Sequence, residues 1–232
     1  MLLYIHDECM EVCSMPRNKH PEQTVQKILD VAFQLFLEKG YEQTTVLDIV
    51  AGLGGMTRGA FYHHFKSKEE VFDAISDRLF REKSPIFELK DRTDLSGLEK
   101  IRHIMKTSAV SGSQDPELFA FNQMGIALIS SPHFLATQLK SNREIAEFIE
   151  PFFAEGMADG SIRLGSPKVL ADLFMLLYNF WMFPTLFPCS TEEFIERANT
   201  ITTIFEALGC PLVDEELEQM TGKLIALFNP DD

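Results

Sequence analysis

Apolar residues recur with helical spacing almost from one end of this chain to the other. Val25, Ile28, Leu29, Ala32, Leu35 and Phe36 form one stripe. Lys39-Gly40 then supplies a stop, because glycine accepts the left-handed conformation that ends a helix. Thr45-x-x-Asp48 has the form of a capping box, in which side chain and backbone exchange hydrogen bonds across the first turn. It predicts a short helix carrying Val46, Ile49 and Val50, broken by Gly52, Gly54 and Gly55. Thr57 caps another short helix through Tyr62. Ser67-x-x-Glu70 repeats the box form and opens a helix with Val71, Ile75, Leu79 and Phe80 that runs to about Lys83.

Beyond Ser84-Pro85 the pattern changes to longer helices with denser aromatics. Asp115-Pro116, Ser131-Pro132 and Ser166-Pro167 each place a capping residue before a proline, which loses nothing at the first helical position. Ser190-x-x-Glu193 is a third box-like start. The spacing predicts helices near 97–112, 116–130, 132–158, 167–187, 191–208 and 214–228. No alternating strand pattern competes, so the expected fold is all-α. Three segments are expected: a leader over 1–16, disordered or preceding the native start; a three-helix head with its connecting helix over 17–84; and a larger helical domain over 85–232.

Charge alters the picture only once its distribution is read. The chain of 232 residues has a formal charge of −14, which by itself argues against nucleic acid. Residues 17–84, however, balance ten Lys/Arg with ten Asp/Glu, and the acidic excess lies mostly beyond residue 85. A cationic surface in the head therefore needs only local clustering. Cys9, Cys13, Cys189 and Cys210 show no C-x2-C spacing, and no basic n-region precedes an apolar segment. We expect a cytoplasmic protein with free thiols, no metal, no cofactor and no membrane span. Val169–Phe187 is nearly all apolar, but Asp172, Asn179 and Pro184 interrupt it.

Residues 44–65, TTVLDIVAGLGGMTRGAFYHHF, join two short helices through a glycine-containing turn, the form of a helix-turn-helix. Helices under two turns cannot repay their own nucleation and need support from neighbours. On the second helix Phe61 and Phe65 can face inward. Thr57, Arg58, Ala60, Tyr62 and His63 then face outward, with backbone open at Gly59. Thr and Arg donate to base edges, Arg in bidentate fashion to guanine. Tyr62, His63, Lys66 and Lys68 can reach phosphates, as can the helix start at Thr44 and Thr45. Arg17 and Lys19 offer an N-terminal arm. His63-His64 diverge by about 100° around a helix and do not chelate together.

The stretch from about Thr24 to Phe72 resembles the DNA-binding domain of the TetR family. ILDVAFQLFLEKGYEQTT and TRGAFYHHFKSKEEVF carry the likeness, with Gly59, Tyr62, His64, Phe65, Ser67, Lys68 and Glu69 in the family's spacing. It covers roughly 50 of 232 residues. The resemblance implies that Thr44, Thr45, Tyr62 and Lys68 grip the DNA backbone, and that Thr57, Arg58, Gly59, Ala60 and His63 lie nearest the bases. One departure is visible: the turn Gly52-Leu53-Gly54-Gly55-Met56 is one residue longer than the family's usual turn.

In the larger domain Phe194, Ala198, Ile201, Phe205 and Leu208 are spaced four, three, four and three. This heptad-like seam predicts a homodimer through a four-helix bundle with helix 167–187, an arrangement the resemblance also implies. Packing of the stripe inside its own subunit is the competing reading. Leu118–Ile129 and Leu173–Phe187 are apolar all round with few polar interruptions, as in an apolar ligand cavity. Met105, Phe119, Asn122, Phe174, Tyr178 and Trp181 are the candidate effector contacts, and ordinary core packing competes for each. The expected protein is a non-enzymatic regulator: a repressor released from a palindromic double-stranded operator by a small, mostly apolar effector, helix 67–83 being the lever. An activator, a ligand-independent regulator, or a helical interaction protein that does not use DNA are the alternatives.

Overall fold

The computed structural model describes residues 21–84 and 86–220, and these are helical with no strand among them. Residues 1–20, with Arg17 and Lys19 and the leader, lie outside the described residues. Helix α1 (Pro21–Lys39) buries Ile28, Leu29, Ala32, Phe33 and Phe36. Gly40 ends it at φ 81°, its N–H donating to the Phe36 carbonyl at 2.9 Å. Helices α2 (Val46–Gly52), α3 (Arg58–Tyr62) and α4 (Lys68–Lys83) complete the head. Its core holds Ile49, Phe61, Val71, Phe72 and Ile75, all fully buried.

That core is finished by two residues from beyond the chain's Ser84-Pro85 break. Phe121 stacks on Phe72 at 4.4 Å, and Phe134 meets Phe72 edge-on at 5.2 Å and Tyr41 at 5.4 Å. Helix α4 is shared lengthwise. Its Phe72 and Ile75 belong to the head core, while Phe80 packs with Ile86, Leu89 and Ile101 of the body.

The body consists of α5 (Ile86–Leu89), α6 (Gly97–Gln114), α7 (Pro116–Leu128), α8 (Pro132–Asp159), α9 (Pro167–Leu176) and α10 (Thr191–Ala207). Residues 215–220 are also helical; the rest of the helix expected over 214–228 lies outside the described residues. Helix α6 crosses α8 so closely at Gly97 that an added Cβ would stand 2.1 Å from the Gly156 nitrogen.

Several helix starts differ from expectation in detail: Ser131 and Ser166, for instance, make no side-chain cap hydrogen bond. Thr45 and Asp48 form the full capping box. Ser67 and Ser190 accept from Glu70 N and Glu193 N, but the glutamates turn elsewhere: Glu70 accepts from Lys66 N, and Glu193 pairs with Arg197. A reciprocal box not read from sequence opens α6, where Ser96 N donates to Glu99 at 2.7 Å and Glu99 N donates to Ser96 Oγ at 3.3 Å.

The helix expected over 167–187 is corrected. Regular α-geometry ends at Leu176, and Leu177–Trp181 form a π turn, with Met182 N donating to the Leu177 carbonyl at 3.1 Å. Buried Asn179 lies in this turn and donates to Asn142 of α8 at 3.1 Å. The wider turn accommodates a polar pairing that a straight apolar pattern does not reveal. Among the described residues no helix is long and apolar enough to cross a membrane.

Candidate nucleic-acid interface

Five residues make α3, too few to hold together alone. Phe61, fully buried, and Phe65 anchor it to the head core from below. Thr57 caps it, its Oγ1 accepting from Ala60 N at 3.1 Å. The preceding turn needs glycine: Gly54 and Gly55 stand at φ 54° and 118°, where a side chain would be strained. The outer face presents Thr57, Arg58, Gly59, Tyr62, His63 and Lys66, all exposed, with Ala60 half-buried. The Arg58 guanidinium lies 5.5 Å from the centre of the Tyr62 ring, so the two side chains form one cationic and aromatic unit. His64 turns partly inward, and burial, then the neighbouring His63, lowers its pKa. It therefore resists taking a proton.

Two backbone-gripping candidates are used inside the head. Thr44 is a correction: it is buried, and its hydroxyl donates to the Gly40 carbonyl at 2.8 Å and the Leu35 carbonyl at 3.2 Å. It locks the end of α1 instead of facing outward. Lys68 Nζ donates to the Tyr41 carbonyl at 2.7 Å and sits 4.0 Å above the Tyr41 ring. Burial lowers its pKa. Its ammonium ties α4 to the loop after α1.

Thr45 is exposed, but its N–H and hydroxyl both donate to Asp48, at 2.8 and 2.6 Å. Those hydrogen bonds, with Lys39 nearby, hold the Asp48 carboxyl down to about 2. A fixed negative charge thus stands at the start of α2 and offsets its dipole. Arg58 on α3 and Lys66 just after it are exposed cations.

In the body, Phe174 is buried and Met105, Tyr178 and Trp181 are half-buried, all packed on one core. Tyr178 lies 4.8 Å from Phe174, and burial, then Cys210, raises its pKa to about 12. Phe119 is a correction: it is 43% exposed, because α7 turns the neighbouring Phe121 into the head core instead. Asn122 is half-buried on the same helix.

The seam on α10 is also corrected. Ile201 and Phe205 are fully buried within their own chain, Phe205 packing edge-on to Phe174 at 6.2 Å. They are not free to meet a partner. Phe194, Ala198 and Leu208 remain half-buried. Sequence reasoning also missed Thr137, Gln138, Ser141 and Asn142, which form a buried polar row on α8. Their signal was visible as polar residues at positions one turn apart between Phe134 and Ile145.

Residues 28–75 match the model of bacterial regulatory proteins of the tetR family. The HTH-type transcriptional repressor KstR2 of Mycolicibacterium smegmatis is 29% identical over 158 residues, 66% of this chain and 73% of that protein. The structure of a SmeT–triclosan complex shares 28% identity, with a TM-score of 0.54, over 67% of this chain and 77% of the other. A TetR-family transcriptional regulator from Pectobacterium atrosepticum shares the fold, at 20% identity and a TM-score of 0.58, over 83% of this chain and 97% of that one.

Proposed function

The chain belongs to the tetR family of bacterial regulatory proteins and is a DNA-binding transcriptional regulator; from that premise we propose that it is a repressor released from a palindromic operator when a small, mostly apolar effector enters its helical body. The exposed face of α3 carries this reading. Thr57, Arg58, Gly59, Ala60 and His63 meet base edges, while Tyr62 and Lys66 reach phosphates; the hydroxyl of Thr45 stays with Asp48. Gly59 lets the backbone approach closely, because an added Cβ there would meet only Thr57 Oγ1 at 3.9 Å. Residues 17–84 act as the reading head and 85–232 as the effector and dimer domain.

The reading requires two copies. Two heads about 34–36 Å apart match half-sites one DNA turn apart. With Ile201 and Phe205 internal, the dimer face shifts outward on the same pair of helices. Val169 and Leu176, seven residues apart on α9, are 60% and 48% exposed. They stand beside Phe194 and Ala198 of α10 in our proposed bundle.

The effector contacts are Met105, Phe174, Tyr178 and Trp181. The complex of the relative SmeT with triclosan supports a small-molecule site in this fold. Release follows by population shift: the effector favours a conformer whose heads are wrongly spaced, at a coupling of about 1–3 kcal/mol. Helix α4 is one lever, and the Phe72–Phe121 stack is a second connection between the halves.

Fluorescence anisotropy with labelled duplexes tiled across the DNA upstream of its own gene, in excess competitor, tests this. We expect saturable binding of one dimer to one palindromic tile and a steep salt dependence, each neutralised phosphate adding about 0.9 to the log–log slope. Equal binding to every tile, or salt-independent binding, overturns it.

A further inference from the structure

Helix α8 buries Thr137, Gln138, Ser141 and Asn142 in the stretch between Phe134 of the head core and Ile145 of the body core. Asn142 is matched by Asn179 across 3.1 Å. Gln138 is not. It is fully buried, and neither its Oε1 nor its Nε2 has a hydrogen-bond partner among the described residues. An amide that has given up water and gained no partner destabilises a fold, and such groups are few in native proteins.

The π turn is a second, independent observation. A π turn gives up regular hydrogen-bond geometry and is frequently found at functional sites. Here it brings Asn179 against α8, one helical turn from Gln138, and carries Tyr178 and Trp181 on the same stretch.

We propose that the Gln138 amide is the polar recognition group of the effector site, and that the effector is a neutral, mostly apolar molecule presenting a donor and an acceptor side by side, such as a carboxamide or a lactam. The inference rests on the reading that an effector binds in the helical body. Nε2 requires an acceptor and Oε1 a donor. A carboxylate supplies acceptors alone. Its charge would also find no free buried cation among the described residues, since Lys100 and Arg197 are already paired with Glu155 and Glu193. A hydrocarbon leaves both amide atoms unmatched. The Asn142–Asn179 pair holds the two elements together and fixes the face on which Gln138 lies.

Isothermal titration calorimetry of the full chain with 2-naphthamide, 2-naphthoate and 2-methylnaphthalene tests this. In the unaltered protein the amide should bind about tenfold more tightly than either of the others, the factor that one well-made hydrogen bond supplies. Gln138→Leu and Gln138→Met should erase that preference while keeping the affinity for 2-methylnaphthalene. Without any compound both variants should melt at a higher temperature, because an unmatched amide has been removed. If the three compounds bind alike to protein and variants, the Gln138 assignment is overturned and the body site stands. A lower melting temperature in both variants also overturns it, by showing that the amide is already satisfied. Failure of all three compounds to bind overturns the effector reading together with this one.

Discussion

On α3 the polar side chains stand outside an apolar base; on α8 and the π turn they lie inside an apolar core. The contrast follows from what each surface is built to meet. Arg58, Tyr62 and Lys66 keep their hydration until a partner arrives, so the head loses nothing by displaying them. Asn142, Asn179 and Gln138 have already lost theirs, and the fold carries the cost whether or not a partner is present. Exposed groups on a rigid base suit a long charged partner approached from solvent. Buried groups suit a small molecule that brings its own donors and acceptors. The lesson is that the same residue chemistry suits a macromolecule in one place and a small ligand in another, according to where water has been removed.

The largest effect should come from the base of α3. Phe61→Ala removes a fully buried ring, should cost about 3–5 kcal/mol in urea unfolding, and should abolish operator binding. Retained DNA affinity would show that α3 does not depend on its apolar underside. Next is the polar pair in the body. Asn179→Ala leaves Asn142 buried without its partner and should cost about 1–3 kcal/mol, whereas Asn142→Leu with Asn179→Leu should cost less than the single change. A double variant that is the less stable of the two breaks the contrast drawn above.

Arg58→Ala should leave unfolding within about 0.5 kcal/mol of the unaltered protein, yet remove about 1–3 kcal/mol of discrimination between operator and mismatched duplex. The comparison of anisotropy on both duplexes reads it directly. Smaller again is Phe121→Leu, which removes the stacked ring on Phe72 and with it about 1 kcal/mol of aromatic pairing. DNA affinity without effector should persist, and effector-driven release should weaken; unchanged release would place the coupling in α4 alone.

The smallest effect is a pH dependence at the start of α2. The Asp48 carboxyl is lowered from 3.8 to about 2, chiefly by its hydrogen bonds with Thr45. A folded pKa below the unfolded one means that its stabilisation is present above 3.8 and lost as pH falls through about 2. The difference in melting temperature between the unaltered protein and Asp48→Asn should therefore shrink over that interval. A constant difference would deny the capping box its role.

Much of the head was legible in sequence because its signals are local. Thr45 and Asp48 lie three apart, Gly40 follows the last apolar residue of α1, and Phe61 and Phe65 repeat at helical spacing; each is decided within one or two turns. The body gave its helix starts in the same way. The short helix α5 at Ile86–Leu89 escaped because four residues carry no period. Thr44 was misplaced because its two acceptors, the carbonyls of Leu35 and Gly40, belong to the preceding helix end and to no motif of its own.

What the sequence determined by itself was therefore the helical period, the caps and breaks, and the place of the short helix α3, since these depend on neighbours along the chain. Only the tertiary structure decided that Ile201 and Phe205 pack within their own chain, that Phe121 and Phe134 complete the head's core, and that Gln138 is buried without a match. An apolar stripe states that a face must be covered and leaves open by what, because the hydrophobic effect is non-directional. The cover is chosen by how distant helices cross. A polar residue reveals its cost only after those crossings have shut out water.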